Sequence, residues 1–170
     1  MIFKQKEASN IYIFSIFAII LNTIYLIKME IKIIKQITDE VIEGLQILLP
    51  QLSPSSTSIP DKNHLKKVIN SESITLFIAE EDNKIVGTLT LAIYPTPLTQ
   101  KAWIEDVVTD NAIRGKGIGK LLIEAALDHA KKLGIEKVDL TSSNDRIAAH
   151  GLYKKTGFDK RDTAVFRKYL

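Results

Sequence analysis

Arg114-Gly115-Lys116-Gly117-Ile118-Gly119 is the most constrained stretch of this 170-residue chain. It lies between a strand-like run, residues 102–109, and a helix-like run, residues 119–133. Three glycines alternating with larger residues allow turns closed to residues with a Cβ, so that consecutive backbone N–H groups converge on one point. That point is a helix N-terminus. Unpaired amides and the positive end of the helix dipole favour an anion there, and a pyrophosphate fits the need. The spacing excludes two common phosphate loops. The G-x-x-x-x-G-K-[ST] loop is not met, because Gly115 is followed by Lys120 and Leu121 with no hydroxyl for a magnesium ion. The dinucleotide fingerprint G-x-G-x-x-G is not met either, since the chain reads G-x-G-x-G.

Upstream of the loop, residues 74–80 and 84–94 are two β-rich runs separated by Glu81-Asp82-Asn83, which predicts an antiparallel hairpin. Residues 39–49 carry apolar side chains at near-helical spacing after Thr38, a natural N-cap, and stop at Pro50. A loop by composition follows over residues 51–60, then a second helix over residues 61–70. Residues 30–36 read as a first strand. Downstream, Gly134 closes the helix after the loop, and Val138 and Leu140 mark a fifth strand. A further helix is expected from Asn144 to the stop at Gly157, and residues 158–170 are β-rich enough for one or two last strands. Strands, then strand, glycine loop, helix and strand, then helix and strand, make an α+β fold with a mixed sheet.

The chain is 45% hydrophobic and 25% charged, the balance of a globular protein, and its length suits one core rather than two. With no cysteine there is neither a disulfide framework nor a thiolate nucleophile. The net charge is +3, and residues 1–28 hold +2 of it (Lys4, Lys6 and Lys28 against Glu7), leaving +1 for residues 29–170. A nearly neutral domain without interleaved aromatic and basic residues gives no support to nucleic-acid binding. His64, His129 and His150 are scattered and form no ligand spacing, so no metal site is expected.

Residues 1–28 are of another kind. Residues 9–27 hold no charge and are long enough to span a bilayer, which takes about 20 apolar residues. Three readings follow: an extension upstream of a start at Met29, an N-terminal membrane anchor, or a cleaved signal, the last disfavoured by the lack of a small-x-small site after Leu21. The expected division is therefore a hydrophobic segment over residues 1–28 and one folded domain over residues 29–170.

Arg114, Gly117 and Gly119 fill the R-x-x-G-x-G signature of the GCN5-related N-acetyltransferases (GNAT), which the chain resembles over nearly all of residues 29–170. A second match is Asn144, Ala148 or Ala149, Leu152-Tyr153 and Gly157-Phe158, close to that family's N-x-x-A-x-x-x-Y-x-x-x-G-F. The resemblance implies a mixed, mostly antiparallel central sheet of six to seven strands flanked by about four helices. It also implies a small cytoplasmic enzyme that passes the acetyl group of acetyl-coenzyme A directly to a primary amine of a small molecule or peptide, without a metal. A homodimer is common among similar proteins, and a membrane enters only if residues 1–28 are an anchor.

By the same resemblance, Val107, Val108 and Thr109 offer main-chain groups to the pantetheine, while Arg114, Gly115, Lys116, Gly117, Ile118, Gly119 and Lys120 surround the pyrophosphate. Asn144 touches the cofactor or caps the helix that follows, or both. Tyr153 matches the residue that protonates the leaving thiolate; a phenol of pKa about 10 suits a thiol of about 8.5. Glu105 is preferred over Asp106 as the base acting directly or through water. Strict alternation puts Glu105 on one face with Trp103 and Val107, and Asp106 on the other. A second class of function, a non-catalytic module that senses acyl-coenzyme A, is opposed by the presence of both Glu105 and Tyr153.

Overall fold

The computed structural model describes residues 29–52 and 60–170. The hydrophobic run at residues 9–27 and most of the loop at 51–60 lie outside the described residues. Among the described residues five strands form one sheet in chain order: β1 (Met29–Ile33), β2 (Ile74–Glu81), β3 (Lys84–Pro95), β4 (Gln100–Thr109) and β5 (Val138–Leu140). The pairings β1–β2, β2–β3 and β3–β4 are antiparallel, and β4–β5 is parallel. Among the described residues four α-helices accompany them: α1 (Asp39–Leu48), α2 (Lys62–Ile69), α3 (Ile118–Lys132) and α4 (Ile147–Lys155). The β2–β3 hairpin closes through Asp82 and Asn83, both at positive φ (51° and 60°), the two-residue turn whose twist matches its strands.

The period-two pattern divides the apolar residues between two cores. Phe77, Ala79, Leu89, Leu91 and Ile104 lie in one cluster with Ile118, Leu122, Ile123 and Ala126 of α3 and Tyr153 of α4. Leu76 lies in the other, with Val41 and Leu45 of α1 and Leu65 of α2. Thr38 caps α1 as expected, its hydroxyl accepting from Val41 N–H at 3.3 Å, and Asp61 caps α2 by accepting from His64 N–H at 2.7 Å. The sheet is thus a partition, with α1 and α2 on one side and α3 and α4 on the other.

Among the described residues the expected sixth and seventh strands are not formed. Residues 158–170 carry no strand, and Val165, Phe166, Tyr169 and Leu170 are each at least 73% exposed. The physical reason is the neighbour available: β5 is three residues long, and Asp159-Lys160-Arg161-Asp162 interrupts the apolar run just where pairing would begin. Arg161 instead reaches Asp139 of β5 as an ion pair at 3.6 Å.

Candidate active site

The strand, loop and helix read from the sequence meet at the open end of the sheet. Parallel pairing of β5 with β4 covers only Ala102, Trp103 and Ile104. Beyond Ile104, residues 105–109 of β4 are paired with β3 alone. A strand edge with free main-chain groups therefore runs toward the glycine loop. Among the described residues two buried side-chain atoms lack a hydrogen-bond partner: Nε1 of Trp103, within the stretch of β4 paired with β5, and Oγ of Ser142, two residues past β5.

From Thr109 the chain enters a short 3-10 turn, Asn111–Ile113, that the sequence reading missed. Its signal is Asp110, whose carboxylate accepts from Ala112 N–H at 3.0 Å and whose own N–H donates to the Val86 carbonyl at 2.9 Å. Gln51, past the end of α1, accepts from Asn111 N–H at 2.9 Å and fastens the turn to the opposite layer. The glycine loop follows. Gly117 is the N-cap of α3 at φ 81°, in the left-handed region that disfavours any residue with a Cβ, and no side chain caps the helix. The first bond of α3 runs from Leu121 N–H to the Gly117 carbonyl at 3.1 Å, which leaves the N–H groups of Ile118, Gly119 and Lys120 without helical partners. A Cβ on Gly119 would come within 2.9 Å of Leu152 Cδ2, so this position is small because α4 packs against it.

β4 carries a defect that alters the expected directions of its side chains. Thr88 pairs with Val108 and Thr90 with Glu105, so Leu89 faces both Asp106 and Val107, a β-bulge. Asp106 takes φ 51° to make it. The alternation expected from the sequence fails here. Glu105, opposite Thr90, and Asp106 both serve the side covered by α1 and α2, while Val107 packs into the core on the α3 side. Asp106 lines a narrow cavity of about 80 Å³ with Leu45, Leu49, His64, Leu65 and Thr88. A wider groove of about 540 Å³ lies elsewhere, at the C-terminal end of α3, with Leu127, Ala130 and Phe158 in its walls.

Both carboxylates sit above the ordinary range. Desolvation raises Glu105, and the charge of Asp106 raises it further; desolvation alone raises Asp106. Tyr153 is buried in the α3-side core with its ring edge-on to Phe158 at 6.1 Å, and burial pushes its phenol up while Arg146 opposes the shift. It is therefore held protonated at neutral pH. Asn144 is not a helix cap: α4 starts at Ile147, its N-cap is Arg146, and Arg146 N–H donates to Ser143 in a preceding turn. Two turn residues, Asn144 and Asp145, precede the Arg146 N-cap and displace the start. Among the described residues no group of three or more His, Asp or Glu side chains is placed to hold a metal, and no helix is long and apolar enough to cross a membrane.

The family model described as the acetyltransferase (GNAT) family matches residues 42–158, more than half of the chain. The chain belongs to the GNAT family. GNAT relatives include an uncharacterized N-acetyltransferase of Bacillus subtilis (strain 168), 33% identical over 125 residues, covering 70% of this chain and 87% of the relative. Human N-acetyltransferase 8B is 32% identical over 109 residues, 62% of this chain; the match spans about half, 48%, of the human protein's length. The fold is also similar to that of a solved structure, an aminoglycoside acetyltransferase from an uncultured soil metagenomic sample in complex with trehalose. That structure has a TM-score of 0.75 and 27% identity, covering 84% of this chain and 96% of its own.

Proposed function

We propose that this GNAT domain transfers the acetyl group of acetyl-coenzyme A to a primary amine of a small molecule or a peptide, by direct attack within a ternary complex. The observation that carries the reading is the uncapped start of α3 beside an open strand edge. Three amides without helical partners, two left-handed glycines with open space around them and the positive helix end suit a pyrophosphate. Arg114, Gly115, Lys116, Gly117, Ile118, Gly119 and Lys120 would hold it, Val107, Val108 and Thr109 would bond the pantetheine, and Asn144 would touch the cofactor. The co-substrate supplies an activated acetyl group as a thioester.

Glu105, directly or through a water molecule, takes a proton from the acceptor ammonium, and the free amine attacks the thioester carbonyl carbon. A main-chain N–H near Val107 stabilises the oxyanion, the C–S bond breaks, Tyr153 gives its proton to the thiolate, the second proton of the attacking nitrogen passes through water to restore Tyr153, and Glu105 releases its proton to solvent. The raised carboxylate pKa moves Glu105 toward the pH at which a base both accepts and returns protons. The acceptor site is the face lined by α1, α2 and Asp106. The aminoglycoside acetyltransferase of the same fold supports a small-molecule amine as the acceptor class.

Tyr153→Phe tests the assignment, since it deletes the proton and keeps the ring. Loss of roughly 10²-fold or more in kcat is expected, with coenzyme A affinity close to wild type. An unchanged rate would remove Tyr153 from the mechanism. A protein that binds acetyl-coenzyme A and never turns it over would be a sensor rather than an enzyme.

A further inference from the structure

One charged side chain beside the glycine loop has no part in the transfer described above. Glu81, at the end of β2, accepts from Lys116 Nζ with both carboxylate oxygens, each at 3.2 Å. Its side chain is only 18% exposed, against 44% for Lys116. The position is held from two sides. The Asp82-Asn83 turn follows directly, with both residues in the left-handed region, and the same hairpin is tied to the connection into α3 by the bond from Asp110 N–H to the Val86 carbonyl. Lys120 is paired as well, with Glu124 one turn along its own helix at 3.5 Å.

A partly exposed lysine–carboxylate pair adds little to stability, so stability is a poor reason for a carboxylate beside an anion site. Its effect on an anionic ligand is larger. We propose that Glu81 is a resident counter-anion of the glycine loop, competing with the cofactor phosphates for Lys116 and thereby holding coenzyme A affinity down. This rests on the reading of the loop as the pyrophosphate site. Acetyl-coenzyme A and the product coenzyme A carry the same phosphates, so grip at the loop binds both equally and slows departure of the product without lowering the chemical barrier. A fixed negative charge near Lys116 limits that grip. The lysine ammonium has three donors and can be shared, but repulsion between the carboxylate and the pyrophosphate persists for as long as both are present.

The test is calorimetric titration of the full chain with coenzyme A, comparing wild type, Glu81→Gln, Glu81→Asp and Lys116→Met at low and high salt. Glu81→Gln should bind about threefold to tenfold more tightly at low salt, and the gain should shrink as salt screens the charges. Glu81→Asp, which keeps the charge, should stay within about twofold of wild type, and Lys116→Met should bind more weakly. Wild-type binding with Glu81→Gln unchanged or weaker would overturn the proposal, as would a gain in Glu81→Asp equal to that in Glu81→Gln. Failure of the wild type itself to bind coenzyme A would be a different result, refuting the cofactor site and this inference with it.

Discussion

Asp106 shows how far one residue can redirect a site. A strand read by alternation sends Glu105 and Asp106 to opposite faces, but the bulge at Leu89 brings both carboxylates to the side of α1 and α2, close enough for one charge to raise the other's pKa. Replacing Asp106 by Asn removes the negative charge that favours protonated Glu105. The Glu105 pKa then falls, and the acidic limb of the kcat/KM profile should move to lower pH. An unmoved limb would mean that Glu105 is not the titrating base, and loss of activity would assign that role to Asp106. At the loop, Gly117→Ala forces a Cβ into φ 81°, costing about 1–2 kcal/mol if the cofactor-bound loop keeps that geometry, equivalent to about tenfold in affinity. Steady-state kinetics should show this as a raised KM for acetyl-coenzyme A. Neither the bulge nor the Glu81–Lys116 pair was legible in the sequence, because each depends on which residue of a neighbouring strand or hairpin comes opposite, and no local pattern states that.

At the scale of elements, legibility followed the strength of the local signal. The β2–β3 hairpin, α1 with its Thr38 cap and the β4–loop–α3 unit were all readable, since periodicity, capping and glycine spacing pointed the same way. The start of α4 was misread, because Asn144 has the chemistry of a cap while the chain makes one more turn before helical bonding begins. The last strands were misread because a β-rich run pairs only where an edge of sufficient length awaits it, and β5 offers three residues. Two substitutions probe the elements. Asp106→Val places a β-branched residue in the left-handed bulge position and should destabilise by about 1–2 kcal/mol in urea unfolding, whereas Asp106→Asn tolerates that conformation and should change stability little. Leu122→Ala, in α3 at a fully buried position against the sheet, should cost about 2–5 kcal/mol in the same experiment.

At the scale of the whole molecule, the sheet separates two tasks. The α3 side holds the glycine loop, Gly119 against Leu152, and Tyr153, so the proposed cofactor grip and the proposed acid share one packed core. On the α1 and α2 side lie the two carboxylates and the narrow cavity that Asp106 lines. The opening of β4 from β5 joins the two sides at one strand edge, where an acyl group held from one face could meet an amine held on the other. The family was readable from the glycine spacing and the later Tyr153 pattern, while the acceptor was not, because the elements that would line its site carry no motif. The measurement that bears most directly on this account is release of free coenzyme A thiol from acetyl-coenzyme A, by the full chain, across a panel of aminoglycosides, polyamines, amino acids, aminophosphonates and short peptides. Release that depends on one class of amine, and falls with Tyr153→Phe, is the predicted result; release with no amine of the panel, although acetyl-coenzyme A binds, would contradict it.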